Sequence, residues 1–222
     1  MSEIAKNILT LKKQIPPSVK LVAVSKTRSA EDITEAYNTG HRIFGENRVQ
    51  ELLSKKDDLP GDAEWHFIGH LQTNKVKYVV PFISMIHSVD SFKLLKIIDN
   101  EAKKLNRTVD CLLQFHIAAE ETKFGFSLDE AVAMVESGSH SRLDSIRLCG
   151  VMGMATLTDD MSLVRNEFRK LAGYFLTLKE NYFRDISAFT EISMGMSGDY
   201  RIAIEEGSTM VRIGSVIFGD RI

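Results

Sequence analysis

Lys20-Leu21-Val22-Ala23-Val24-Ser25-Lys26-Thr27 is the stretch from which the fold is read. Leu21 to Val24 is an unbroken apolar run of strand length. Such a run suits a parallel strand buried on both faces, since a half-exposed strand alternates instead. Lys26 then places an amine at the end of that strand. Lysine is seldom fully buried without a partner. Two roles are open to it: a strand cap reaching solvent, or a partly desolvated amine able to form a Schiff base.

The same pattern repeats on both sides. Glu3 to Ile15 predicts an amphipathic helix, with Ile4, Ile8, Leu11 and Ile15 on one face and Pro16-Pro17 as its stop. Ser29-x-x-Asp32 opens a helix that buries Ile33, Ala36 and Tyr37 and closes at Gly40. Further strands are expected at Arg42–Gly45, Glu64–Ile68, Phe82–Val89, Val109–Phe115, Ile146–Met152, Thr190–Ser193 and Thr209–Ile213. Helices are expected between them: one through Leu52 and Leu53, a short polar one over Thr73–Val79, and Phe92–Leu105 with Leu105 inward. Three more follow, from the Ser127-x-x-Glu130 cap to Glu136, over Asp160–Lys179, and over Tyr200–Glu206. The Asp160–Lys179 segment carries the strongest stripe: Met161, Val164, Phe168, Leu171, Phe175 and Leu178. Strands alternating with helices imply a parallel sheet. Eight such units in 222 residues predict a single α/β domain over 1–222, a compact (β/α)8 TIM barrel with an extra N-terminal helix. A doubly wound open sheet is the alternative.

Composition narrows the function classes. With 28 basic and 30 acidic residues the net charge is −2, which gives no bulk attraction to nucleic acid or an anionic membrane. No apolar run reaches transmembrane length, and Met1–Thr10 lacks the pattern of a signal peptide. Cys111 and Cys149 sit in apolar strand-like runs outside any CxxC, which predicts buried reduced thiols and a cytoplasmic protein. Walker A, GxGxxG and HExxH patterns are absent, and no metal site is expected. A monomer is expected.

In a barrel of this kind chemistry sits at the C-terminal ends of the strands. Lys26, Asn47, His66 or His70, Gln114 or His116, Ser193 and Arg212 fall there. The last two strands are the most telling. Ser193-Met194-Gly195-Met196-Ser197-Gly198-Asp199 and Val211-Arg212-Ile213-Gly214-Ser215 offer glycines and hydroxyls where such barrels bind phosphate. Turn-forming propensity alone also explains such loops. Arg212 lies within an apolar strand and cannot lose its proton, so it needs a partner. A neighbouring carboxylate or the ring nitrogen of a cofactor would serve. Pyridoxal phosphate needs an amine, an anion cradle and a partner for its pyridine nitrogen. Lys26, the Ser193 and Ser215 loops, and Arg212 could supply these.

At this point the sequence resembles the pyridoxal phosphate homeostasis protein family. The motifs are Val22–Thr27, Phe44-Gly45-Glu46-Asn47-Arg48-Val49-Gln50-Glu51, Trp65-His66-Phe67-Ile68-Gly69-His70-Leu71-Gln72-Thr73-Asn74-Lys75, and the two C-terminal stretches above. The resemblance covers nearly the whole chain. It implies a barrel similar to the N-terminal domain of alanine racemase, with pyridoxal 5'-phosphate held by Lys26 as an internal aldimine. It further implies Arg212 facing the pyridine nitrogen, Ser193, Ser197, Gly214 and Ser215 on the phosphate, and Asn47 and His66 near the ring. Ser215 stands where relatives often have Thr, which keeps the hydroxyl. Lys123 corresponds to a lysine linked in some members to a second cofactor site; a solvated loop lysine is the other reading.

Three functions compete. The first is a carrier that holds the cofactor and passes it to apo-enzymes. The second is an amino-acid racemase or decarboxylase. The third is an aldolase using Lys26, which leaves Arg212 without a task. Racemisation needs an acid/base group on each face of the substrate carbon. The chain ends soon after the eighth strand, with no residues for the additional domain that supplies the second group in alanine racemase. The expectation is therefore a binding protein with little turnover.

Overall fold

A computed structural model describes residues 1–119 and 124–219. Eight parallel strands close into a barrel in sequence order, with the last paired to the first. They are β1 (Lys20–Val24), β2 (Ile43–Glu46), β3 (Glu64–Phe67), β4 (Met85–Val89), β5 (Val109–Gln114), β6 (Ile146–Met152), β7 (Glu191–Ser193) and β8 (Met210–Ile213). The open-sheet alternative is excluded by the β1–β8 ladder, in which Val22 pairs with Arg212 and Ala23 with Ile213.

Helices cover the outside: α1 (Glu3–Gln14), α2 (Ala30–Asn38), α3 (Val49–Lys55), α4 (Val76–Val79), α5 (Phe92–Lys104), α6 (Leu128–Glu136), α7 (Met161–Asn181), α8 (Tyr200–Glu205) and α9 (Ser215–Phe218). Local chemistry sets their starts. Ser2, Ser29, Ser91 and Ser127 each accept a backbone N–H of the first turn, and Ser127 with Glu130 forms a reciprocal capping box. The outer apolar core between sheet and helices includes Phe44, Phe67, Phe115, Phe168 and Phe189, all essentially inaccessible to solvent. A smaller cluster fills the barrel interior: Val22, Met85, Leu112, Cys149, Met152 and Met210. Both cysteines are free and buried.

Several boundaries differ from expectation for physical reasons. β1 stops at Val24, so Ser25, Lys26 and Thr27 form the following turn. β4 starts at Met85 rather than Phe82, because the chain from Val80 to Phe82, through Pro81, is still turning out of α4. Leu105 caps α5 and is 46% exposed rather than packed inward. Thr73–Val79 divides into a 3-10 turn at Thr73–Lys75 and then α4. Gly150 marks an irregularity in β6 at φ +150°, where an added Cβ would lie 1.8 Å from the Glu191 carbonyl oxygen. Only glycine lets β6 and β7 approach there.

Candidate functional site

The C-terminal end of the barrel opens into a cavity of about 750 Å³. Six of the expected site residues line it: Lys26, Asn47, Ser197, Arg212, Gly214 and Ser215. They come from the ends of β1, β2, β7 and β8, which are distant in sequence and joined only by barrel closure. Gln114, His70 and His116 line it too. Arg28, Phe124, Met154 and Leu157 also contribute, and sequence reasoning had not selected them. They lie on loops without periodicity, so nothing in their spacing marks them. Lys123 lies outside the described residues.

Two expected site residues are not at the cavity wall. His66 and Ser193 are 3% and 0% exposed and sit below the floor, inside the barrel. Ser193 belongs to β7 itself rather than to the loop after it, so its hydroxyl points among strands. That hydroxyl accepts from Arg212 Nη1 at 2.6 Å and lies 2.9 Å from His87 Nδ1. In this structure the Ser193 oxygen is engaged beneath the floor rather than at the cavity wall. His66 likewise meets His87, with Nδ1 3.0 Å from His87 Nε2. His87 went unselected, although a histidine within the buried Met85–Val89 run was as legible a signal as Arg212.

Electrostatics follow from burial. Arg212 is 3% exposed, and its Nη2 donates to the Gly153 carbonyl at 3.0 Å. Burial pulls its pKa down to about 10, opposed by the Asp199 carboxylate, so it remains a cation at neutral pH. Burial pushes His66 down to about 3, with the Lys20 charge adding to the effect. His87 is held well below the ordinary histidine value by burial, then by His66 and Arg212. Both rings are neutral in the folded protein and protonate near the ordinary value when unfolded. Their stabilisation is complete above the unfolded pKa of about 6.5 and is lost as pH falls below it. Urea unfolding should show stability declining on acidification from about pH 6.5, by up to about 1.4 kcal/mol per pH unit for each histidine. A flat profile between about pH 6.5 and 5 would show that the pair is not buried neutral.

The phosphate-type loops are tied to one another. Gly214 N–H donates to Ser197 Oγ at 3.2 Å, and Met196 N–H donates to Asp199 Oδ1. A Cβ at Gly214 would come within 3.1 Å of the Val24 carbonyl oxygen. Asn47 Oδ1 is buried with no hydrogen-bond partner. An unsatisfied amide oxygen at a cavity wall is what a binding site leaves for its ligand. Behind Lys26, Ser25 Oγ donates to Glu46 Oε1 at 2.7 Å and Lys55 Nζ to the Ser25 carbonyl at 2.8 Å. Thr27 N–H donates to Glu51 Oε2 at 2.7 Å. At the mouth His70 stacks on Phe124 with centroids 4.0 Å apart and meets Asp90 at 3.0 Å.

Comparison with known proteins follows the same lines. The alanine racemase N-terminal domain family matches residues 1–222. A pyridoxal phosphate homeostasis protein of Synechocystis is 40% identical over 213 residues, 94% of each chain. This chain belongs to the pyridoxal phosphate homeostasis protein family. The human member is 38% identical over 215 residues, 91% of this chain and 76% of its own. PipY of Synechococcus elongatus PCC7942, solved with PLP bound, matches at TM-score 0.89 and 36% identity, over 97% of this chain and all of PipY. Alanine racemase of Clostridium difficile 630 shares the fold alone, at TM-score 0.75 and 15% identity, over 99% of this chain and 57% of the racemase. No helix among the described residues is long and apolar enough to cross a membrane.

Proposed function

We propose that this chain binds pyridoxal 5'-phosphate in the barrel-end cavity, joined to Lys26, and serves its homeostasis without substantial turnover. The observation that carries the reading is convergence. One cavity gathers an amine, an arginine and two loops bearing glycine and hydroxyl groups. Its volume of about 750 Å³ lies within the range of small-molecule sites. Family membership and PipY's bound PLP support the same ligand.

The residues present fit the group. Lys26 supplies the amine. Arg212 donates to a neutral ring nitrogen and keeps its own proton, which weakens the ring as an electron sink. Ser197 and Ser215 offer hydroxyls to phosphate, and α9 begins with N–H groups that have no intrahelical partner. Asn47 Oδ1 is free to accept. When bound, pyridoxal phosphate supplies an aldehyde that condenses reversibly with amines.

The carrier reading rests on what faces the cavity. Among the described lining residues there is no carboxylate, cysteine or tyrosine. Of the two lining histidines, His70 is engaged by Asp90 and Phe124 at the mouth, which leaves His116 as the other acid/base group beside Lys26 in the lining. The reading extends to apo-enzymes as recipients, to a monomeric state and to the cytoplasm. Loaded protein mixed with a pyridoxal phosphate-dependent apo-enzyme should restore that enzyme's activity. Turnover of common amino acids above about 1 per second, lost in Lys26→Ala, would favour the racemase or decarboxylase reading instead.

Affinity tests the placement. Ser215→Ala should weaken binding by about 1–2 kcal/mol, the scale of a hydrogen bond to a charged group. Arg212→Ala should weaken it too. Equilibrium dialysis showing both unchanged would remove the loops and the arginine from the site.

A further inference from the structure

From Arg212 at the cavity floor a row of buried polar side chains runs down into the barrel, and the cofactor reading leaves those beyond Arg212 without a task. Arg212 Nη1, Ser193 Oγ, His87 Nδ1, His87 Nε2 and His66 Nδ1 follow one another at 2.6, 2.9 and 3.0 Å. Four strands contribute: β8, β7, β4 and β3. Ser193 and His87 are both 0% exposed. Bulk solvent therefore reaches neither of them.

One direction of the row satisfies every proton in it. A guanidinium only donates. Ser193 Oγ must then accept from Arg212, which leaves its own proton to donate, and His87 Nδ1 is the acceptor in reach. With Nδ1 accepting, His87 carries its proton on Nε2 and gives it to His66 Nδ1. With both rings reversed, Ser193 Oγ would accept from Arg212 and His87 alike, and its own proton would lose the acceptor it has at His87 Nδ1, which costs the desolvation of a buried donor. Burial keeps both rings neutral, so the direction holds across the working pH range.

We infer that His87 is a positioning residue for Arg212. Its Nδ1 takes the Ser193 hydroxyl proton and so turns a Ser193 lone pair toward Arg212 Nη1. The Gly153 carbonyl holds Nη2, and the guanidinium is fixed at the cavity floor. Among the described residues no carboxylate forms an ion pair with Arg212, so neutral acceptors set its orientation. A side chain already held in its bound geometry loses less freedom when a ligand arrives. The inference rests on the reading that pyridoxal phosphate occupies the cavity.

The first test needs no cofactor. Nitrogen-15 spectra of histidine-labelled protein should show His66 and His87 protonated at Nε2 and bare at Nδ1 from about pH 5.5 to about pH 8. A protonated Nδ1 on His87 overturns the inference. The second test uses protein loaded with pyridoxal phosphate. His87→Phe should shift the visible band of the bound cofactor and weaken affinity about tenfold, as loss of one charge-assisted hydrogen bond implies. His87→Asn, whose amide oxygen accepts from Ser193, should recover most of both. Ser193→Ala should reproduce the His87→Phe spectrum, and it decides the matter should His87→Phe not fold. An unchanged band and affinity in Ser193→Ala or in folded His87→Phe overturns the inference and leaves the cofactor reading standing. A wild-type protein with no such band overturns the cofactor reading, while the tautomers still decide the direction of the row.

Discussion

Lys26→Ala should fold normally and fail to retain pyridoxal phosphate through gel filtration. The side chain is half-buried and stands outside the strand ladder, so its truncation removes little packing. Its neighbours make contacts that shape the turn. Ser25 is held by Glu46 and Lys55, and Thr27 by Glu51. Thr27 adopts φ 63°, a conformation that costs a β-branched residue on the order of 1–3 kcal/mol. These contacts remain when Lys26 is truncated, and the variant should keep its shape. What it loses is the amine, and with it the covalent part of retention. The remaining contacts are hydrogen bonds of about 1–3 kcal/mol each, too little to survive dilution. Borohydride treatment of loaded wild-type protein followed by peptide mapping should place the label on Lys26. A label chiefly on Lys123 would reverse the assignment.

The barrel was legible because parallel strands buried on both faces read as apolar runs, and serine caps announce the helices between them. Val22-Ala23-Val24 and Cys111-Leu112-Leu113 are of this kind. Ends were less legible, as at Phe82 and Leu105, because a turn beside proline and a helix cap can both carry apolar residues. The cavity-lining set was legible where a polar residue interrupts or ends an apolar strand, as at Lys26 and Arg212. The level of a residue along its strand was not. His66 and Ser193 sit one layer below the cavity, a matter of barrel stagger that no single strand encodes. Loop residues such as Arg28 and Met154 reach the cavity only because eight strands close.

Lys55→Met should lower the unfolding free energy by about 3–5 kcal/mol, the scale for breaking a buried ion pair from one side. Lys55, on α3, is 8% exposed and Glu46, on β2, is 0% exposed. Lys55 Nζ donates to Glu46 Oε1 at 2.8 Å, to the Ser25 carbonyl at 2.8 Å and to Glu51 Oε2 at 3.4 Å. Without the ammonium, Glu46 keeps only the Ser25 hydroxyl, and its Oε2 already lacks a partner. The sign with pH follows from Glu46. Burial raises its pKa in the wild type, against the opposing pull of Lys55. A raised carboxyl binds its proton more tightly folded than unfolded, so its cost is absent at low pH and grows as pH rises past the unfolded value. Removing Lys55 raises it further. The variant's deficit should therefore be smallest near pH 5 and widen toward pH 8 in urea titrations. Adding Glu46→Gln to Lys55→Met should recover part of the loss and abolish the pH dependence of the deficit, since neither charge of the pair remains. Ser25 and Thr27 flank Lys26, so slackening this cluster should also slow borohydride trapping of the cofactor in Lys55→Met while Glu46→Gln alone affects it less. A deficit under about 1 kcal/mol, or one that does not change with pH, would mean that Glu46 holds its proton in the wild type and that Lys55 is not its counter-ion.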